Sequence, residues 1–396
     1  MAKNKKSKPL PNRVVSKLVI NALRWYLGWL FKVQIEKNES LHFLPPYLVI
    51  GNHANFWDGF LVNIFIREPI SFLVSDEYFR NPVLGWLLRM EGSIPKKKKL
   101  ADFSAIKEAI IAKKSNRIIG IFPEGMRNWN GVTEEIIYAT AKFIKLMDIP
   151  VVKALLKGSY LSFPRWATYT RKGPVTMSYD LCLSQKAIRS LSVEAIYQEI
   201  CKALNYDEYE YQKKVMHRYP GKKLAEKLEL YLFTCPHCHH IGTLYSLEDN
   251  FYCKNCQYQV RYNCYGFFQN EDKQTLYFDN PRDWNQWQLR RMKNKISTCL
   301  KAKNKDFILE DQGVILTITD DFKSMDSLNH CTLLLNTDEL IITYHLHKSM
   351  VFHLSLIKGI NVQYNNQFEF YYEDILYRFR FENPSVSAYK WYKVIS

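Results

Sequence analysis

Two rhythms of apolar and polar positions divide the chain. Between residues 46 and 225, short apolar runs alternate with stretches of helical period. Residues 47–50 are a β-rich run that ends at Gly51 and Asn52, and helical patterns come next near 57–67 and 83–90. Residues 102–114 predict a helix, 117–122 a strand, 134–146 a helix and 149–156 a strand. This alternation predicts an α/β architecture, a mixed sheet flanked by helices. Beyond about residue 305 the rhythm becomes that of strands. Residues 332–335 and 339–344 flank an Asn336-Thr337-Asp338 turn, and 359–364 and 367–372 predict a hairpin through Asn365-Asn366. A strand over 375–381 and a closing helix over 386–395 complete the pattern, the helix with Ser385 as its expected cap.

The N-terminal pattern is different again. The apolar stretch 18–31 contains Arg24 and falls short of the ~20 residues a spanning helix needs. Wound as a helix, it places Lys17, Asn21, Arg24 and Gly28 on one narrow stripe. Val14, Leu18, Leu23, Trp25, Tyr26, Trp29, Leu30 and Phe31 cover much of the remainder. A wide apolar face edged by a basic stripe and aromatics predicts a helix lying in a membrane interface. A helix packed on the protein's own sheet would show a similar pattern. The basic start is followed by no small-residue cleavage site, so no secretory signal is expected.

Composition adds direction. The 396 residues are 47% hydrophobic and 24% charged, which excludes disorder as the default. The length predicts more than one domain. A net charge of +16 favours an anionic partner, whether nucleic acid, lipid surface or phosphorylated substrate. The expected divisions are a basic tail and interfacial helix (1–45), an α/β domain (46–225), a cysteine module (226–265), a connector (266–300) and a β-rich domain (301–396).

Two constellations carry candidate chemistry. In Asn52-His53-Ala54-Asn55-Phe56-Trp57-Asp58, the His and Asp are five apart. On a continuous helix they would point ~140° apart, so they meet only if the segment turns. A strand ending at Gly51, a loop carrying His53 and a helix starting near Asn55 would allow that. A carboxylate on one ring nitrogen then leaves the other as a base. The same residues could equally form a capping box, with Asn55 as N-cap and Asp58 at N3. The second constellation is Phe122-Pro123-Glu124-Gly125-Met126-Arg127, a turn at a strand end whose arginine suits an anion.

Together these two motifs resemble the first and third signatures of the glycerolipid acyltransferase family, whose nearest described activity is 1-acylglycerol-3-phosphate acyltransferase. Gly92-Ser93-Ile94-Pro95 before the lysines at 96–99 resembles the second signature, and Ile149-Pro150-Val151-Val152 the fourth. The resemblance covers roughly residues 10–225. It implies that His53 deprotonates an acceptor hydroxyl and that Asp58 orients and charge-stabilises the histidine. It also implies that Glu124, Gly125 and Arg127 help hold the acceptor's phosphate with Lys98, or with Lys96 as the competing choice. The implied donor is an acyl thioester of acyl-carrier protein or coenzyme A. The family usually has Thr or Ser where Met126 stands, often Ser where Asn128 stands, and Arg where the second signature has Lys. These departures bear on the acceptor more than on the reaction.

Cys235-x2-Cys238 and Cys253-x2-Cys256, fourteen residues apart, have the spacing of a zinc ribbon. Four thiolates fill a tetrahedral ion, so one structural zinc is expected, with His237, His239 and His240 as weaker alternative ligands. Metal-type cysteines also point to a reducing compartment. Cys182, Cys201, Cys264, Cys299 and Cys331 are expected as small core residues. The C-terminal strands with one closing helix loosely resemble a pleckstrin-homology or GRAM-type domain.

The combined expectation is an acyltransferase acting on a lysophospholipid at the cytoplasmic face of the membrane, peripheral or monotopic, on an anionic lipid surface. Acyl-carrier protein is a candidate partner. A catalytically silent membrane scaffold is one alternative. A nucleic-acid-binding zinc-ribbon protein is another, but it leaves the His-x4-Asp and Phe-Pro-Glu-Gly pairing without a role.

Overall fold

The structure is a computed structural model and describes residues 13–96, 102–270, 275–302, 306–320, 323–344, 348–363 and 365–396. The basic tail before residue 13 and Lys98 lie outside these residues. The chain divides into two units. The first comprises Met1–Arg165 with Thr170–Gly221, and the second Trp166–Tyr169 with Lys222–Ser396.

The first unit is built on a seven-stranded sheet. Its strands are β1 (Lys32–Asn38), β2 (Leu48–Gly51), β3 (Ile70–Ser75), β4 (Ile94–Lys96), β5 (Ile118–Ile121), β6 (Val151–Lys157) and β7 (Pro174–Leu183). They lie in the order β1-β7-β6-β2-β5-β3-β4. β2, β5, β3, β4 and β6 run parallel, and β7 is antiparallel to β6. The sheet is therefore mixed, as expected.

Apolar side chains leave both faces of this sheet, so both must be covered. On β2, Val49 enters one core with Phe60, Phe72 and Leu88, while Leu48 and Ile50 enter the other with Ala109, Ile144 and Ile200. The covering helices are α1 (Arg13–Leu30), α2 (Asp58–Asn63), α3 (Pro82–Glu91), α4 (Phe103–Lys114), α5 (Ala139–Met147), α6 (Ser159–Ser162), α7 (Gln185–Ser190), α8 (Val193–Leu204) and α9 (Glu208–Val215). α4 shows the logic: Asp102 caps its N-terminus, and Ala105, Ala109 and Ala112 face inward at helical spacing.

Three expectations change here. The boundary at residue 46 does not hold, because β1 pairs with β7 along the sheet edge and Leu27 and Phe31 are core residues. The helix expected over 134–146 begins only at Ala139. The residues before it are drawn into tertiary bonds instead: Glu134 N donates to Glu124, and Ile137 N donates to Pro123 O. The helix α1 has two apolar sides. Ile20 and Leu27 are buried, whereas Val14, Leu18, Trp25 and Trp29 are exposed on the opposite side. The buried side matches the expectation of a helix packed on the protein's own fold, and the other side is apolar and exposed. Lys17 on its polar stripe pairs with Glu68 at 2.7 Å.

The second unit begins with a small antiparallel sheet of β8 (Leu244–Leu247), β9 (Asn250–Cys253), β10 (Gln259–Tyr262) and β11 (Phe268–Gln269). The expected connector is a 21-residue helix, α10 (Pro281–Lys301), started by the Asn280 cap and Pro281. Strands β12 (Leu309–Asp320), β13 (Lys323–Leu335), β14 (Glu339–Tyr344), β15 (Lys348–His353), β16 (Lys358–Gln363), β17 (Gln367–Tyr372) and β18 (Ile375–Phe381) form an antiparallel sheet, β15-β14-β13-β12-β18-β17-β16. α11 (Ala388–Ile395) closes the chain. Its cap is Ser387 rather than Ser385, and the Ser387 hydroxyl also donates to Leu230 O at 2.7 Å.

Candidate active site

In an open parallel sheet the C-terminal strand ends face a common crevice, which is where such folds place ligands. Here β2, β5 and β6 are neighbours. Beyond their C-terminal ends lie, in turn, the His53 loop, the Phe122–Arg127 turn and the Gly158–Ser159 turn, so the three converge.

The His53 loop is held by side chains on either side of it. Asn52 pins the end of β2 to β6, accepting from Leu156 N at 2.8 Å and donating to Leu156 O at 2.9 Å. His53 N donates to Glu124 Oε1 at 2.6 Å, and His53 O accepts from Asn128 N at 2.8 Å. The imidazole stacks on Phe122 at 4.3 Å between centroids, and Phe122 stacks on Phe72 at 5.1 Å.

His53 and Asp58 meet, with Nδ1 3.0 Å from Oδ2. The same Oδ2 accepts from Ala54 N and Asn55 N, each at 2.7 Å. Oδ1 accepts from the Ser159 hydroxyl at 2.5 Å. The expected capping box does not form: α2 begins at Asp58 with Trp57 as its cap residue and no side-chain cap bond, because the Asn55 side chain accepts from Trp57 N instead, while the Asp58 carboxylate takes the loop N–H groups that aim it at the ring. Asp58 is fully buried. Donation from Nδ1–H selects the tautomer with its lone pair on Nε2. Desolvation lowers the imidazole pKa from its ordinary value; Asp58 opposes this, and Arg127 and Arg165 add to the lowering.

The other expected site residues divide. Arg127 lies within electrostatic reach of His53, its guanidinium 5.8 Å from the Phe56 ring centre. Gly125 has φ +74°, and a Cβ there would fall 2.6 Å from Ile137 Cδ1, so the turn requires glycine. Glu124 does different work from that expected of it. Its oxygens take the N–H groups of His53 and Glu134, and burial pushes its carboxyl up to about 8. It ties two loops together, with both of its oxygens engaged by backbone N–H groups. Asn128, which stands where the family often has Ser, accepts from Gly131 N. Lys96 ends the edge strand β4, three strand spacings or roughly 14 Å from β2. Burial lowers its pKa, with Asp102 opposing.

Sequence reasoning missed Ser159 and Arg165. Ser159 reaches Asp58 across 101 residues, and no local pattern marks it. Arg165 donates to Arg127 O at 2.8 Å and lies 4.5 Å over Trp129.

The cysteine module forms a second centre. The sulfurs of Cys235, Cys238, Cys253 and Cys256 all lie within 4.8 Å of one another. Cys235–Cys256 and Cys238–Cys253 are each 3.7 Å apart. A tetrahedron with ~2.3 Å metal–sulfur bonds has edges of about 3.8 Å, so the cluster fits one zinc ion. The histidine alternatives are engaged elsewhere: His237 Nδ1 meets the Tyr277 hydroxyl, and His240 Nδ1 meets Cys238 O and Asn255. Of the remaining cysteines only Cys331 is buried, the others being partly exposed.

The family model described as Acyltransferase matches residues 32–156, which carry the His53 and Phe122–Arg127 motifs. The 1-acyl-sn-glycerol-3-phosphate acyltransferase of Streptococcus pneumoniae is 33% identical over 108 residues, covering 26% of this chain and 40% of that protein. The protein of the same description from Limnanthes alba is 27% identical over 161 residues, covering 38% and 55%. The chain thus spans about half or less of these relatives' own length. The crystal structure of the 1-acyl-sn-glycerophosphate (LPA) acyltransferase PlsC from Thermotoga maritima superposes with a TM-score of 0.42 at 19% identity, over 50% of this chain and 79% of that one.

Proposed function

We propose that the protein transfers an acyl chain from an acyl thioester to the hydroxyl of a lysophospholipid such as 1-acylglycerol-3-phosphate. The observation that carries this reading is the His53–Asp58 pair beyond the C-terminal end of β2, with Arg127 within electrostatic reach. His53 Nε2 takes the proton of the acceptor hydroxyl as its oxygen attacks the thioester carbonyl. A C–O bond forms and the C–S bond breaks. The thiolate leaves with the proton from His53. Asp58 stabilises the imidazolium between these steps. Donors of either kind, acyl-carrier protein or coenzyme A, fit this scheme. The test is a panel of lysophospholipids offered with both donors and read by mass spectrometry. A diacyl product supports the reading, and none with any pair favours the silent scaffold.

Arg127 would bind the acceptor's phosphate. Arg127→Ala is expected to raise the acceptor KM about tenfold or more while leaving the donor KM near wild type, since a hydrogen bond to a charged group is worth about 1.5–3 kcal/mol. An unchanged acceptor KM removes this role.

The working place would be a membrane surface. Among the described residues no helix is long and apolar enough to cross a membrane. α1 packs on α3, and the two expose Leu18, Trp25, Trp29, Val83 and Trp86, with Trp25 78% and Trp29 64% exposed. Such side chains suit insertion at headgroup depth. The cytoplasmic face follows from the metal-type cysteines and the thioester donor. The double variant Trp25→Glu/Trp29→Glu is expected to weaken binding to anionic vesicles by roughly 10²-fold or more, because burying one large apolar side chain is worth about 1.5–3 kcal/mol. Equal sedimentation of both proteins with the vesicles would refute this.

A further inference from the structure

We propose that Glu208 and Ser159 form a positioning unit for the catalytic pair, in which Glu208 sets the turn that carries Ser159 and Ser159 sets Asp58. This rests on the acyl-transfer reading above, but its central test does not need turnover. Both residues lie beyond residues 32–156, the part matched by the acyltransferase model.

The chain of contacts is continuous. Asp58 must present Oδ2 to His53 Nδ1, yet a carboxylate can rotate about its Cβ–Cγ bond. Two backbone N–H groups hold Oδ2, and the Ser159 hydroxyl at 2.5 Å holds Oδ1. Held at both ends, the carboxylate plane is fixed. Ser159 is itself fixed by its turn. Gly158, at φ +80°, ends β6, and a Cβ there would fall 2.3 Å from Pro174 O, so the chain turns tightly at this point. Glu208 then takes the N–H of Gly158 on both oxygens, at 2.8 and 3.1 Å, and that of Tyr160 at 3.3 Å. Those two groups flank Ser159 in sequence. Asn55 Nδ2 donates to Ser159 O at 3.2 Å and to Ser162 Oγ at 3.0 Å, which returns the turn to the His53 loop.

Glu208 is held in its turn. Its own N–H donates to Gly131 O at 2.8 Å, and the Tyr206 hydroxyl donates to Oε1 at 3.2 Å. It is fully enclosed, and burial pushes its carboxyl up to about 8 against these bonds. Burying a carboxyl is costly unless hydrogen bonds offset the lost hydration. Here those bonds come from the turn beside Ser159 and from Tyr206.

The experiment is titration of His53 by 15N-histidine NMR in wild type, Ser159→Ala, Glu208→Gln and the double variant, with His53→Ala for assignment. The groups that face the ring, Asp58, Arg127 and Arg165, and Glu124 on its backbone N–H, are the same in all four proteins. Removing the Ser159 hydroxyl leaves the Asp58 charge less satisfied and so a stronger partner for the imidazolium. The His53 pKa is expected to rise in Ser159→Ala. It should rise by less in Glu208→Gln, and in the double variant it should match Ser159→Ala. Kinetically, kcat should fall about tenfold or more in Ser159→Ala with both KM values held. A purely structural role would lower the folded fraction and leave the midpoint of the titration in place. An unchanged midpoint in Ser159→Ala overturns the proposal whether or not the protein acylates anything. Additive effects in the double variant overturn the claim that Glu208 acts through Ser159. A failed substrate panel with the expected NMR shifts would instead count against the reaction alone.

Discussion

Replacing His53 by alanine is expected to lower kcat/KM by roughly 10²–10⁴-fold, the range of a positioned general base, while the fold survives. The ring is stacked on Phe122 at the crevice and is partly exposed, so its loss opens no deep cavity. Asp58→Asn gives the complementary result. Asp58 Oδ2 receives three donors, His53 Nδ1, Ala54 N and Asn55 N, and Oδ1 receives one, the Ser159 hydroxyl. An asparagine can put its oxygen where Oδ2 stands and its amide where Oδ1 stands, because a serine hydroxyl can turn and accept. Geometry and tautomer are then kept, and only the charge is lost. Turnover should fall, and the acid limb of the pH profile should move lower, since Asp58 is what raises the ring's affinity for a proton. In wild type that limb should lie below 6.5, the ordinary imidazole value, because desolvation outweighs Asp58 and the two arginines act with it. Full activity of His53→Ala would sink the assignment, and a wild-type limb well above 6.5 would mean that a different group is being titrated.

How much of this was legible in the sequence depends on how far apart the partners lie. The cysteine pairs are knuckles of four residues each, so spacing alone marked them, whereas His53 and Asp58 are near neighbours whose spacing also fits a capping box and were singled out by the resemblance of their motif. The parallel core strands were visible because runs such as 48–51 and 118–121 are continuously apolar. The strand β1 was not, because its burial pattern is nearly all exposed and it becomes a strand only by pairing with β7. The same holds for Glu124. Its motif was readable, but its actual partners, the N–H groups of His53 and Glu134, are set by tertiary structure. Helical propensity over 134–146 lost to those same bonds. The cap of α11 moved from Ser385 to Ser387 because the helix begins where Ser387 can also reach Leu230 O. Local pattern found the elements and the candidate His53–Asp58 motif; the groups that hold these two residues came from 71 and 101 residues away.

Removing the metal from the cysteine cluster is expected to have the largest effect on stability. Structural zinc sites of this kind contribute on the order of 10–16 kcal/mol of apparent binding free energy, and that energy is folding energy. The contacts around the first knuckle would make the second unit depend on it. Thr234, the residue before Cys235, accepts from Trp284 Nε1 of α10 at 2.9 Å. Gln288, one turn further along α10, accepts from Phe233 N and donates to Tyr231 O, both at 2.9 Å. Trp284 packs edge-on against Phe251 and Phe268 of the ribbon strands. Asn285 reaches the Tyr389 hydroxyl of α11 at 2.9 Å. Loss of the first knuckle would therefore release the anchor of α10 and, through it, that of α11. Purified protein is expected to carry one zinc ion per chain, and Cys235→Ser or a strong chelator to remove it. Calorimetry should then show the transition of the second unit lowered or lost. The first unit has its own two cores and none of the four ligands, so its transition should stay in place. Wild type that is metal-free and melts unchanged would refute the zinc assignment.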